Sequence, residues 1–416
     1  MKTNEATTIT NPSLHTVKGE NIVIIGLQAW YTDIGSNCKS IAMELAKNNT
    51  VLYINMPLDR NTMRQWKDDK NISRHIDIAK NKKNKKENLF EIQPNLWNYY
   101  PTEILESINW IPSSFLFALF NKRNNKLFAK AIQKATRMMG FKDYILFNDN
   151  DIFRSFYLKE LLRPKLYIYY IRDNLTVVEY WKRHGKTIEP KHMAKADLVA
   201  ANSIYLAEYA KQYNKNSYYI GQGCDISLFD ASKKYETPDD IKDISHPIVG
   251  YVGAIFSLRI DEKVIQLIAK ALPQYSIVLI GPEDELFRSS SLHQQPNVFF
   301  LGKKPLSSLP SYIAHFDVCI NPQLINEVTI GNYPLKADEY LAMGKPVVAT
   351  KTHAMQIFGE HAYTAAKPEE YPGLIEKALA EDNDERMQKR ITLAHTHTWK
   401  DSVEQLTLAI QNTVPH

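Results

Sequence analysis

At 416 residues the chain is longer than one hydrophobic core usually serves, so two domains of similar size are expected. Hydrophobic residues at 44% and charged residues at 23% describe an ordinary globular protein. A formal net charge of +5, partly concentrated in the lysines of residues 80–86, suits an anionic surface without identifying nucleic acid as a partner. Cys38, Cys224 and Cys319 have neither paired nor metal-ligand spacing, which argues against a disulfide framework and fits a reducing cytoplasm.

In chain order, residues 1–20 read as a polar lead-in without a signal peptide's pattern. No apolar run is long enough to span a bilayer, so any membrane association is expected to be peripheral. Residues 21–26 form an apolar strand, 27–37 a polar and aromatic loop, 38–47 a helix and 51–54 a second strand, together a βαβ unit. The loop has only Gly26 and Gly35 where a nicotinamide site would need G-x-G-x-x-G, which disfavours a dehydrogenase. Residues 61–125 contain the lysine-rich loop, a strand near 89–92, the aromatics Trp97, Tyr99, Tyr100 and Trp110, and the apolar run 111–120. That run reads as a core helix. The alternative is a membrane-interface surface formed by residues 115–120 with Lys82, Lys83, Lys85, Lys86, Lys122 and Arg123.

Strands at 143–147, 166–171 and 197–202 alternate with helices at 151–162 and around Tyr180 and Trp181. Ligands of doubly wound sheets gather outside the carboxyl ends of strands, and Asp173 stands at such an end. It is a candidate general base, with helix N-capping as the alternative role and His184 and Glu189 in reserve. Gly221 and Gly223 permit a tight turn at the end of the first sheet. Residues 21–232 then make the first domain, and the charged stretch 233–246 a linker.

The second domain, 247–390, repeats the alternation. Strand 247–252 runs into Gly253, a loop with Arg259, and an amphipathic helix over 262–272. Further strands are read at 276–280, followed by Gly281 and Glu283, at 298–301 and at 316–321. Residues 334–350 read as helix, stop and buried strand: Pro334 in the first turn, Gly344 as C-terminal cap, Pro346 opening the strand. Lys336 and Glu339 lie three apart on one helix face, near an end whose dipole favours an anion. A diphosphate suits Lys336, and a carboxylate one turn further in suits the two hydroxyls of a ribose. There is no Walker lysine motif, and no clustered Cys/His pattern that would call for a metal. Residues 391–416 form a last apolar-periodic helix.

The run P-x-K-x-x-E-Y-x-A-x-G-x-P-V-V resembles the donor segment of GT-B glycosyltransferases of the bacterial exopolysaccharide and teichuronic-acid type. The resemblance covers the second half well and the first half by architecture. It implies an α/β fold of two Rossmann-like doubly wound parallel-sheet domains facing a cleft, with the last helix crossing back to the first domain. It implies that Lys336 and Arg259 meet the donor diphosphate, that Glu339 meets the ribose, and that Gly253, Glu283 and Tyr340 complete the donor site. Gln28, Trp30, Ser36 and Asn37 become acceptor-side candidates, with capping and packing as their alternative roles, and Asp173 the base if the mechanism inverts configuration. The implied co-substrate is a nucleotide-sugar, UDP-linked, the acceptor a saccharide or lipid-linked saccharide, and the location the cytoplasm, at the inner membrane face if peripheral contact occurs. No bound cofactor or metal is expected. One position departs: many retaining relatives carry a second Glu eight residues before the ribose Glu, where this chain has Gly331, with Glu327 the nearest upstream carboxylate. The rival readings are a nucleotide-sugar epimerase of the same fold and a non-catalytic nucleotide-sugar-binding subunit of a polysaccharide assembly complex.

Overall fold

The computed structural model describes residues 17–32, 35–66, 68–80 and 88–413. Most of the lead-in and all of Lys82, Lys83, Lys85 and Lys86 lie outside these residues. The first part of the chain runs β1 (Asn21–Gly26), α1 (Asn37–Leu45), β2 (Thr50–Asn55), α2 (Arg60–Gln65), α3 (Lys70–Lys80), β3 (Leu89–Gln93), β4 (Leu96–Tyr99), α4 (Ser114–Met138), β5 (Ile145–Asp149), α5 (Leu158–Leu162), β6 (Leu166–Ile171), α6 (Glu179–Lys195), β7 (Leu198–Ala201), α7 (Ile204–Lys211) and β8 (Ser217–Tyr219). The second runs β9 (Ile248–Val252), α8 (Glu262–Ala271), β10 (Ser276–Ile280), α9 (Glu285–Arg288), β11 (Val298–Phe300), α10 (Leu309–Ala314), β12 (Val318–Asn321), α11 (Leu335–Ala342), β13 (Val347–Thr350), β14 (Tyr363–Ala365), α12 (Tyr371–Ala380), α13 (Asp384–Ala394) and α14 (Trp399–Thr413).

The strands sort into two sheets, β3-β4-β2-β1-β5-β6-β7-β8 and β11-β10-β9-β12-β13-β14. All pairings are parallel except β3 with β4, which form an antiparallel hairpin at one edge. Parallel strands carry helices on both faces, so the central ones are apolar throughout: β1, β6, β9 and β10 are buried almost end to end. Strand order reverses between β1 and β5 in the first sheet and between β9 and β12 in the second. Such switch points leave a crevice beyond the strand ends, because the flanking helices diverge there.

The chain leaves the second domain at residues 395–398 and α14 packs on the first sheet, where Leu406 and Ala409 join the core around Ile22, Ile41 and Tyr170. Gly223 makes room for this return: a Cβ there would lie 2.3 Å from the Trp399 backbone nitrogen, and Cys224 N–H donates to His397 O at 2.8 Å. Gly221 carbonyl accepts from Ser402 Oγ at 3.4 Å. Both glycines therefore serve the crossing of the chain.

Two expected elements differ. The helix expected over 151–162 is reduced to α5, because Asp151 takes Ser155 N–H at 2.8 Å and the Arg154 Nε at 2.9 Å, holding the segment before it in turns. The run 111–120 is not a core helix. Phe117 is buried, but Phe115 is 78% exposed and Leu119 58%. No helix among the described residues is long and apolar enough to cross a membrane.

Candidate active site

The donor-side geometry begins with α11. Pro334 stands at its N-cap without a side-chain cap bond, and Gly344, at φ +71, ends the helix in the left-handed conformation that only glycine adopts freely. Tyr340 is fully buried, and its hydroxyl accepts from Val252 N–H at 2.8 Å. It fixes the helix against the end of β9, so Tyr340 is a packing residue and not a ligand contact, contrary to expectation. With Tyr340 inward, Lys336 and Glu339 face the crevice beyond β9.

Lys336 reaches back over Gly253. A Cβ on Gly253 would sit 1.9 Å from Lys336 Cε and 2.7 Å from its Nζ, and the Gly253 φ of +148 is one that L side chains rarely adopt. Gly281, on the neighbouring strand end, packs so closely that a Cβ would meet Gly253 O at 1.8 Å. These two glycines open the channel that Lys336 fills, its Nζ 5.9 Å from the Tyr251 ring centroid. Gly253→Ala is expected to push Lys336 aside and strain the backbone. It should cost about 1–3 kcal/mol of stability by urea titration together with a measurable loss of UDP affinity.

A cavity of about 500 Å³, within the range of small-ligand sites, is lined by Lys336, Arg259, Tyr251, Asn321 and Tyr333. Arg259 forms no ion pair with another described residue. Burial lowers the Lys336 pKa, Glu339 raises it, and the Arg259 charge lowers it again. Burial and the nearby Arg259 charge both disfavour the Lys336 ammonium, a cost that a bound anion relieves. Glu339 is half-buried, and loss of solvation lifts its carboxyl to about 7 against the pull of Lys336. Glu283, expected in this pocket, turns to His293 Nε2 at 3.0 Å and does not line it.

Across the cleft the first domain presents a network that sequence reasoning found only in part. Arg172, at the end of β6, donates from Nε to Asp149 at 2.9 Å and from Nη1 to Asp173 at 2.6 Å. Asp149 is fully buried at the end of β5 and also takes Leu27 N–H across the β1/β5 switch point at 3.1 Å. Asn150, at φ +53, accepts from the backbone N–H of Arg172 and of Asp173 at 2.9 and 3.0 Å. Asp173 is thus held by its backbone while its carboxylate stays 42% exposed to the cleft. It is not a helix cap, since Asn174 stands at the N-cap of the following short turn. Reduced solvation raises the Asp173 pKa, Arg172 lowers it, Asp149 raises it and Arg259 of the opposite domain lowers it. One guanidinium shared by two carboxylates leaves Asp173 incompletely neutralised, which preserves its basicity.

The reserve bases do not reach the cleft. His184 is buried, its Nε2 2.8 Å from Ile111 O and its ring stacked on Phe117 at 3.9 Å. Glu189, on the buried side of α6, lies against the Tyr169 hydroxyl at 3.2 Å, and burial lifts it to about 7. Among the β1–α1 loop residues, Gln28 accepts from Tyr53 through its backbone carbonyl at 2.6 Å, and Trp30 packs edge-on against Tyr53. Both hold the loop on the sheet. Asn37 donates to Gln222 at 2.8 Å, and Gln222 also takes the Asn202 amide at 2.7 Å. Ser36, at the N-cap position of α1, makes no cap bond, and its buried Oγ has no partner among the described residues.

The domains meet through residues 326–331. Asn174 Nδ2 donates to Glu327 O at 3.2 Å and Ser203 Oγ to Gly331 O at 2.9 Å. A Cβ on Gly331 would come within 3.2 Å of Leu206, so this position is pressed against the first domain. Beside this contact lies a second opening of about 430 Å³, lined from the first domain by Thr176 and Lys186 and from the second by Asn326 and Glu327. Behind α11, buried Asp338 accepts from Tyr333 at 2.7 Å and pairs with His397 Nδ1 at 2.6 Å, tying the donor helix to the crossing segment. Among the described residues no group of three His, Cys, Asp or Glu side chains could hold a metal.

Residues 246–381 match the family Glycosyl transferases group 1, so the second domain is a group 1 glycosyltransferase domain. The chain is 27% identical over 248 residues to the Bacillus subtilis protein named "Putative teichuronic acid biosynthesis glycosyltransferase TuaH", a match spanning 56% of this chain and 62% of that protein. Among solved structures, sucrose-phosphate synthase from Thermosynechococcus elongatus is similar at a TM-score of 0.63, with 18% identity over 94% of this chain and 98% of that one. Anabaena HepE in complex with UDP and glucose is similar at 0.62, with 18% identity over 95% and 100%. OtsA without ligand is similar at 0.65, with 10% identity over 96% and 100%. The fold is GT-B.

Proposed function

We propose that this protein is a glycosyltransferase that moves a sugar from a nucleoside-diphosphate donor, UDP-linked, to a saccharide or lipid-linked acceptor in cell-surface polysaccharide synthesis. The observation that carries the reading is the placement of Arg259 and Lys336 together in one cavity, with Glu339 a turn away and Asp173 facing them across the cleft. In this reading the two cations neutralise the diphosphate as it departs, the step at which most negative charge develops. Ionised Glu339 accepts both ribose hydroxyls, and Asp173 removes the acceptor hydroxyl's proton as the new glycosidic bond forms. The match to TuaH and the UDP in the HepE complex support this choice of reaction and nucleotide.

The test is calorimetric titration with UDP. Wild-type protein should bind. Lys336→Met should bind on the order of 10- to 150-fold more weakly, the effect of losing a hydrogen bond to a charged group, about 1.5–3 kcal/mol. Equal affinity in the two proteins would remove Lys336 from the donor site. Incubation with UDP-sugars alone separates the rivals: an epimerase turns the donor over without acceptor, and a binding subunit turns over nothing.

A further inference from the structure

We propose that the outward face of α4 is a docking surface for an anionic lipid bilayer, its first two turns entering the interface and its basic stripe lying along the lipid phosphates. Helix α4 packs on the first domain through Phe117, Asn121, Asn125, Phe128 and Ile132, all buried. Among the described residues nothing covers its opposite side. There Phe115 is 78% exposed, Leu119 58%, Leu116 45% and Phe120 37%, and Trp110, in the segment that precedes the helix, is 68% exposed. The outward face of a globular protein's helix is normally polar, and clustered large apolar groups mark a contact site.

The remainder of the same face supplies the second observation. Between residues 114 and 138 the sequence has Lys122, Arg123, Lys126, Lys130, Lys134 and Arg137, and no Asp or Glu. Steps of three and four residues carry Phe115 and Leu119 directly into Lys122, Lys126 and Lys130, so the apolar tip and the basic tract form one stripe. At 1.5 Å per residue the helix is roughly 37 Å long, enough to lie across several lipid headgroups. Apolar turns followed by unopposed positive charge fit an anionic membrane surface. A second copy fits poorly, because two such faces would bring like charges together. The stripe extends the Lys122 and Arg123 of the sequence pattern through Lys126, Lys130, Lys134 and Arg137, whereas Lys82, Lys83, Lys85 and Lys86 lie outside the described residues.

The helix also points the right way. It connects parallel strands β4 and β5 and so runs against them, and Asn121 and Asn125 both donate to Phe153 O, just past the end of β5, at 3.0 and 2.9 Å. The apolar turns therefore stand at the end of the first domain where the cleft opens. Delivery of a lipid-linked acceptor to Asp173 would follow from that placement and rests on the proposed reaction; the docking itself does not.

Flotation of the full chain with vesicles of phosphatidylcholine, with and without phosphatidylglycerol, decides the matter. The wild type should float with the anionic vesicles and be released as salt rises, since the attraction is screened. Phe115→Ser/Leu119→Ser and Lys126→Gln/Lys130→Gln should each weaken partition, the second on the order of thirtyfold. UDP affinity and melting temperature should be unchanged in both, because all four side chains point to solvent. Recovery that is absent, equal on neutral and anionic vesicles, or unaltered by both variants would overturn the proposal. So would sedimentation showing a dimer that Phe115→Ser/Leu119→Ser dissolves, which would make the face an interface between copies.

Discussion

Asp173→Asn is expected to bind UDP with wild-type affinity and to transfer sugar about 10² to 10⁴-fold more slowly, roughly 3–5 kcal/mol of barrier. Binding is spared because the candidate donor contacts, Arg259, Lys336 and Glu339, all belong to the second domain. Folding should also be spared. Asn150 holds the backbone at residue 173 whatever its side chain, and Arg172 keeps its bond to Asp149. The pH profile gives an independent reading. The working form is the carboxylate and its pKa is raised, so wild-type transfer should fall toward acid along a limb lying above the ordinary Asp value of about 4. The Asn variant should lack that limb. Single-turnover transfer beside a UDP titration makes the measurement, and near-wild-type transfer would remove Asp173 as base. His184 and Glu189 could not replace it without rebuilding α6, since both lie on that helix's buried side.

Glu339→Gln should move stability and binding in opposite directions. Gln keeps the shape but cannot accept from both ribose hydroxyls as an ionised carboxylate does, so UDP affinity should fall by about 1.5–3 kcal/mol. The folded protein should become more stable. A carboxyl lifted to about 7 from an ordinary 4.5 is costly to ionise in the native state, and the cost grows as pH rises from 4.5 to 7 and is constant above. Two and a half units would set a ceiling of roughly 3 kcal/mol, and partial exposure to solvent lowers the realised gain. Thermal unfolding of both proteins at pH 8 and pH 4.5 tests the sign: the Gln variant should melt higher at pH 8, with the gap closing at pH 4.5. A variant that binds UDP normally, or melts lower at pH 8, would break the link between the group's burial and its use.

The donor helix was legible because its signals are local. Pro334, Gly344 and Pro346 set its ends by backbone restriction alone, and a three-residue spacing puts Lys336 and Glu339 on one face in any α-helix. The apolar runs of β1, β9, β10 and β13 were legible for a related reason: a parallel strand buried on both faces has no polar side to disguise it. Neither argument reaches across the chain. Asp149, Asn150 and Arg172 are single polar residues at strand ends, and what makes them a unit is the adjacency of β1, β5 and β6, elements up to about 150 positions apart in sequence. Tyr340, Glu283, His184 and Glu189 carry plausible chemistry, but only packing decides which way a side chain faces, and all four face protein. The run 111–120 shows the same division most plainly. Its apolarity follows from composition, whereas burial depends on whether another element covers it; α4 spends its inward face on the first sheet, and nothing among the described residues lies over Phe115 and Leu119.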